Sequence, residues 1–217
     1  MMKTFLNTFT TILFISIFNM TQAQDTVFIQ VETSLGIMKG YLHNETPQHR
    51  DNFIKLINES YYDSLLFHRV IPGFMIQGGD PDSKNAKPGA ALGMGGPKYQ
   101  VPAEFVDSLA HVKGALAAAR NNNPEKKSSG SQFYIVAGRP VNNNELAMQE
   151  FKHNFKYPES VKAEYLKSGG VPFLDHDYTV FGQITEGLDI IDKIAASMTD
   201  GRNRPLDNVW MKITILK

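Results

Sequence analysis

The 217-residue chain contains no cysteine. That excludes disulfides, thiol chemistry and a lipid anchor on a processed N-terminal cysteine, and it is compatible with an oxidising compartment. A charge bias is also missing, since Lys plus Arg and Asp plus Glu number 22 each. Nothing electrostatic therefore favours nucleic acid as a partner. The six histidines (His43, His49, His68, His111, His153, His176) are dispersed without zinc-ligand spacing. Asp80-Pro81-Asp82-Ser83-Lys84-Asn85 has the look of a calcium loop, but Lys84 stands where a ligand is required and the glycine at the sixth position is missing. Gly93-Met94-Gly95-Gly96 lacks the strand–helix context of a dinucleotide fingerprint. No metal and no other cofactor is expected.

What the chain does have is 42% hydrophobic residues, ample for one globular domain with its own core. No internal repeat or second domain is evident. The first residues form a distinct segment: Lys3 supplies a positive start and residues 9–20 a mostly apolar run, shorter than the roughly 20 residues a spanning helix needs. Thr21-Gln22-Ala23 then offers small residues at the positions a signal peptidase reads. Residues 1–23 are accordingly read as a cleaved export signal and 24–217 as the mature domain, the competing reading being an uncleaved anchor. After cleavage no membrane association is expected, and the destination is the periplasm or the medium, with the periplasm favoured.

Along the mature chain, Val27, Ile29 and Val31 alternate with polar residues, the period of a half-buried strand. Ser34-Leu35-Gly36 turns it into a returning strand over 37–42. Thr46 and Pro47 predict a helix N-cap and first position, with Phe53, Ile54, Leu56 and Ile57 on its apolar face. Strands are expected over 65–70 and 74–77, either side of the Ile71-Pro72-Gly73 turn. Further strands are expected over 131–137, 178–185 and 209–216. A helix over 187–197 directs Leu188, Ile191 and Ile194 inward. Residues 142–170 carry helix signals in two pieces. Asn142 and Glu145 suit a capping box, Ala147, Phe151 and Phe155 fall at four-residue spacing, and Gly169-Gly170 ends the second piece. We read this segment as an inserted helical hairpin.

The most informative run is Phe67-His68-Arg69-Val70-Ile71-Pro72-Gly73-Phe74-Met75-Ile76-Gln77-Gly78-Gly79-Asp80-Pro81. It sets one permanent cation, Arg69, and one amide, Gln77, among large apolar residues and tight turns, with no paired carboxylates nearby. This suits a neutral, ring-shaped ligand gripped by apolar walls and polarised at one atom. Ser129-Gly130-Ser131-Gln132-Phe133-Tyr134-Ile135, Ala117-Ala118-Ala119-Arg120-Asn121, and Phe173-Leu174-Asp175 with Tyr178-Thr179-Val180-Phe181-Gly182 follow in order. Together these blocks resemble the cyclophilin family of peptidyl-prolyl cis-trans isomerases over nearly everything from Val27 onward.

The resemblance implies a catalytic Arg69 assisted by Gln77. It implies a proline pocket lined or bordered by Phe74, Met75, Phe133 or Tyr134, Phe173, Leu174 and Tyr178. Gln132 would reach substrate backbone, and the strand edge at Ala119 and Arg120 would pair with the bound peptide. His68 is expected to be a structural sheet residue, because the reaction moves no proton. Phe173 stands where many eukaryotic members carry Trp, Tyr178 where they carry His, and Arg120 where Asn is common. Both aromatic replacements keep the pocket apolar, and loss of the indole donor implies weak cyclosporin binding.

The resemblance also turns the Gly114-Ala115-Leu116-Ala117-Ala118-Ala119 run, a helix on propensity alone, into a buried strand. The fold class expected is mostly β: a closed eight-stranded antiparallel barrel capped by two α-helices, with the helical hairpin inserted. The 142–170 hairpin either shapes the substrate groove or adds stability. Expected partners are proline-containing peptides and unfolded or folding proteins, bound by a monomer. A binding module without turnover is the rival from another class, and a lipocalin-like carrier with a hollow interior the third reading.

Overall fold

The computed structural model describes residues 25–216, so the expected export signal lies outside the described residues. In chain order the strands and helices are β1 (Val27–Thr33), β2 (Gly36–Leu42), α1 (Pro47–Asn58), β3 (Leu65–Leu66), β4 (Arg69–Ile71), β5 (Met75–Gly78), β6 (Gln100–Val101), β7 (Ala115–Ala118) and β8 (Ser128–Ser129). They continue with β9 (Phe133–Val136), α2 (Asn143–His153), α3 (Glu159–Ser168), β10 (Val180–Glu186), α4 (Leu188–Ala195) and β11 (Trp210–Ile215).

Alternation sets the first hairpin as expected. Ile29 and Val31 point into the core, and β1 pairs with β2 in a register that places Thr33 opposite Gly36. The Thr33 hydroxyl closes the turn, donating to Gly36 O at 2.8 Å and accepting from Leu35 N at 3.1 Å.

Helix α1 begins where proline predicts, yet Thr46 makes no cap hydrogen bond. Glu104, remote in sequence, takes that part. Its carboxylate accepts the Gln48 amide at 3.1 Å and the His49 amide at 3.0 Å. An anion there satisfies free N–H groups and meets the positive end of the helix dipole.

The main sheet is antiparallel in the order β3-β11-β1-β2-β10-β7-β9-β5-β4. It curls into a half-barrel, and the expected closed eight-stranded barrel is corrected on this point. The cause lies in the segment expected as one strand over 65–70. It divides at Phe67 and His68 into β3, which pairs with β11, and β4, which pairs with β5. These strands have two and three residues and follow each other directly, so they cannot form a ladder with one another. The short pair β6–β8 forms a separate two-stranded sheet.

Side chains fill the concave face. Phe53, Tyr62, Phe67 and Phe133 pack there, with Phe53, Tyr62 and Phe67 each 4.9–6.3 Å from a neighbouring ring centroid. Ile29, Met38, Leu116, Ile191 and Met211 complete this core. A hollow carrier is therefore excluded. The alanine-rich run is strand β7, whose residues serve two faces: Leu116 and Ala118 join the inner core, and Ala115 and Ala117 an outer cluster with Met75, Tyr134 and Leu174. Burial on both faces overrides helix propensity.

The inserted hairpin is α2 and α3, and the capping box forms, with Asn142 Oδ1 accepting from Glu145 N at 3.0 Å. The apolar stripe of α2 is not the expected one. Phe151 is 90% exposed and Ala147 also faces solvent, while Leu146, Gln149 and Glu150 are buried. The Glu150 carboxylate fixes that rotation: it accepts Tyr157 N at 3.0 Å and pairs with Lys156 at 2.9 Å and Lys162 at 3.2 Å.

Candidate active site

Four strands carry one row of side chains across the outer face. Arg69 on β4 is opposite Gln77 on β5, Gln77 opposite Tyr134 on β9, and Tyr134 opposite Ala117 on β7. Directly opposed residues share a face, so the eight-residue spacing from Arg69 to Gln77 becomes a contact. Arg69 Nη1 donates to Gln77 Oε1 at 3.2 Å, and Gln77 Nε2 donates to Gln132 Oε1 at 3.1 Å. Gln132 Nε2 then donates to Gly93 O at 3.0 Å and Gly95 O at 2.7 Å.

This chain of amides aims the guanidinium without neutralising it. Arg69 has no carboxylate partner, and its remaining donors are unengaged among the described residues. Gln132 differs from expectation in that both its donors hold the glycine loop, so it braces that loop and orients Gln77.

Beside Arg69 lies an apolar patch. The Phe74 ring centroid is 5.9 Å from Arg69 Cζ and 5.6 Å from the Phe173 ring. Met75, Ala119, Tyr134 and Leu174 form its buried floor, with Phe74 and Tyr178 partly buried against them. Tyr178 meets Tyr134 edge-on at 5.9 Å. Phe133 is the exception among the expected pocket residues. Only 1% exposed, it points into the inner core, because neighbours on a strand face opposite sides; the wall position belongs to Tyr134.

At the strand edge, Ala119 N bonds Gln132 O and Ala119 O accepts from Ser129 N, each within 2.9 Å. Main-chain pairing capacity thus passes to Arg120, whose amide and carbonyl bond no described residue. Its guanidinium donates from Nε to Asp177 O at 2.8 Å and stacks 4.6 Å from the Tyr178 ring centroid. A groove of about 410 Å³ runs alongside, lined by Gln77, Gly95, Ala119, Arg120 and Gln132 among others.

Sequence reasoning missed the support beneath Tyr134. Its hydroxyl lies 2.8 Å from His111 Nε2, and His111 Nδ1 lies 2.6 Å from Asp175 Oδ1. Burial holds the Tyr134 phenol well above its ordinary range, so it remains protonated. The Asp175 carboxylate also accepts His111 N at 2.9 Å, and the hydroxyls of Tyr157 and Tyr165, both from the inserted hairpin, at 2.5 and 2.6 Å. The one hint in the sequence was the acidic residue directly after Phe173-Leu174.

This geometry accompanies a family match over residues 28–215, to the model described as cyclophilin type peptidyl-prolyl cis-trans isomerase/CLD. The chain belongs to the cyclophilin-type peptidyl-prolyl cis-trans isomerases. It is 35% identical over 190 residues to a putative peptidyl-prolyl cis-trans isomerase of Staphylococcus aureus, covering 86% of this chain and 89% of the relative. A Staphylococcus saprophyticus protein of the same description is 35% identical over 171 residues, 77% of this chain and 80% of the relative.

A putative bifunctional phosphatase/peptidyl-prolyl cis-trans isomerase of Streptococcus pyogenes is also 35% identical, over 83% of this cyclophilin, which spans only 37% of that relative's length. In fold, the cyclophilin resembles a crystal structure of a Cryptosporidium parvum cyclophilin with a TM-score of 0.63 at 22% identity, covering 89% of this chain and 99% of the other.

The histidines bear on how this cyclophilin responds to pH. Burial lowers the pKa of His68 from 6.5 to about 4, and burial is also the main cause that lowers His43, His49 and His153. A neutral His68 fits its expected structural role. Between these lowered values and 6.5, the unfolded chain binds more protons than the folded one, so stability rises with pH in that window. Full stability is expected above pH 6.5, with loss as pH falls toward 4. His68 alone accounts for about 2 kcal/mol at pH 5. Urea midpoints at pH 7 and pH 5 measure this, and equal midpoints would contradict it.

Proposed function

We propose that this isomerase turns over X-Pro bonds on its outer face, with Arg69 as the catalytic group and Phe74, Met75, Tyr134, Leu174, Phe173 and Tyr178 holding the proline ring. The observation that carries this reading is a guanidinium with unengaged donors and no ion-pair partner among the described residues, set beside an apolar patch. Amide rotation is opposed by a barrier of about 18–20 kcal/mol that arises from resonance. In the twisted amide the nitrogen regains a lone pair, and Arg69 donates to that nitrogen or its carbonyl more strongly than to the planar ground state. Such differential binding is catalysis without a covalent bond or a proton transfer. Gln77 orients Arg69. Exclusion of water by the aromatic wall helps further, because water stabilises the more polar planar form.

Proline-containing peptides are the substrates on this reading, with Arg120 pairing their main chain. A Cryptosporidium parvum cyclophilin structure obtained in the presence of the dipeptide Ala-Pro supports it; the two chains have 23% identity and a TM-score of 0.62. Export, supported by the apolar run over 9–20 and Thr21-Gln22-Ala23, places the clients among proteins folding outside the cytoplasm. Exchange spectroscopy on a short proline peptide tests the assignment. Accelerated cis–trans exchange is expected, whereas shifted resonances without acceleration would mark a pure binding module. N-terminal sequencing of the protein recovered from its native host tests the export signal, with cleavage expected after Ala23 or one residue later.

A further inference from the structure

The chain contains six arginines, at 50, 69, 120, 139, 202 and 204. Two of them pair with carboxylates, Arg50 with Asp51 and Arg139 with Glu145. The other four form no ion pair among the described residues, and all four line a single cavity of about 310 Å³, together with His68, Gln77, Gly93 and Asp200. In a protein with zero formal net charge, this concentration is not the by-product of a basic surface.

The four guanidinium groups are held differently. Arg204 is only 5% exposed; it donates to the neutral oxygens Ala90 O at 2.6 Å and Asn208 Oδ1 at 3.2 Å and makes no ion pair among the described residues, with Asp200 the nearby carboxylate whose charge acts on it and on Arg202. Arg69 retains donors beyond its bond to Gln77, and Arg120, which also donates from Nη1 to Asn121 O at 3.2 Å, retains others unengaged among the described residues. Arg202 is exposed and its side chain makes no hydrogen bond among the described residues. The one lining carboxylate, Asp200, is occupied locally, with Oδ1 accepting the amides of Arg202 at 2.8 Å and Arg204 at 3.0 Å. His68, 4% exposed, lines the same cavity as a buried ring with no geometrically formed hydrogen bond at either nitrogen among the described residues. A buried, unpaired charge raises the local potential, and a carboxylate offers the bidentate geometry that guanidinium groups match.

We propose that this cavity is a subsite for an acidic side chain of the substrate peptide, so that the isomerase selects proline segments with Asp or Glu close to the proline. The inference rests on reading the outer face as the peptide site. What connects the two is continuity: the cavity shares Gln77, Gly93 and Arg120 with the 410 Å³ groove. Arg120 in turn lies against Tyr178 of the proline patch. A carboxylate bound here therefore belongs to the same short peptide whose proline sits beside Arg69.

The test uses a short X-Pro peptide series with Glu, Gln or Lys at each of the two positions on either side of the dipeptide. Turnover is measured with the wild-type mature protein and with Arg202→Glu. At one position or more, the Glu peptide is expected to exceed the Gln peptide about tenfold in kcat/KM, with Lys below Gln, and added salt should narrow the gap. Arg202→Glu should abolish or reverse the Glu preference and leave turnover of the Gln peptides unchanged. Equal kcat/KM for Glu, Gln and Lys at every position, or a Glu preference that survives Arg202→Glu, overturns the subsite. Absence of turnover for every peptide, Gln included, overturns the isomerase reading instead.

Discussion

Replacing Arg69 with alanine is expected to lower kcat/KM for a proline peptide by about 100-fold or more while leaving the fold intact. Removal of one preorganised donor from a site where charge develops typically costs about 2.7–4 kcal/mol of transition-state stabilisation. The structural cost should be small by comparison. Arg69 makes one side-chain hydrogen bond, to Gln77, and no carboxylate is orphaned when it is removed. Arg69→Lys should not restore activity, because an ammonium cannot reproduce the planar fork that meets Gln77 and a substrate amide together. Gln77→Ala should be milder, about tenfold, since it loosens the guanidinium without deleting it. If Gln77→Ala inactivates the protein and Arg69→Ala does not, the roles given to these two residues are wrong. Circular dichroism and urea midpoints recorded alongside separate a catalytic loss from an unfolding one.

The contact between those residues was readable because it depends on short-range pattern. A proline-glycine turn between two apolar strands fixes a register, and register places Arg69 opposite Gln77. The β1–β2 hairpin and the Asn142 capping box were legible for the same reason. Features set by distant partners were not. Phe151 falls in a helical stripe that the sequence makes look internal, but the rotation of α2 is chosen by Glu150 and its partners on the next segment. Phe133 and Tyr134 are adjacent aromatics of similar size, and only the pairing of β9 with β5 and β7 decides which one joins the outer cluster. Glu104 caps α1 from 55 residues away, where no local motif could announce it. Barrel closure, likewise, depends on a division at Phe67 and His68 that alternation alone does not mark.

The buried Asp175 carboxylate carries the second large effect, on stability. It accepts four donors: His111 N, His111 Nδ1, Tyr157 OH and Tyr165 OH. Burial and then the adjacent Asp175 charge raise both hairpin phenols above their ordinary range, so they remain protonated donors. Asp175→Ala strands all four groups in the interior, where each unsatisfied donor costs about 1–3 kcal/mol. With partial relaxation, a loss of about 3–5 kcal/mol is expected, a large part of a typical domain's stability of about 5–15 kcal/mol. Should Asp175→Ala prove too unstable to isolate, Tyr157→Phe poses the same question more gently. It removes one donor and leaves three, for an expected loss of about 1–2 kcal/mol. These variants also decide what the inserted hairpin does. Its tyrosines are hydrogen-bonded to the apolar patch through Asp175, His111 and Tyr134, so it is expected to act as a buttress behind the wall. Tyr157→Phe should therefore lower the urea midpoint and leave KM for a proline peptide unchanged. A raised KM at unchanged stability would instead assign the hairpin to the groove itself.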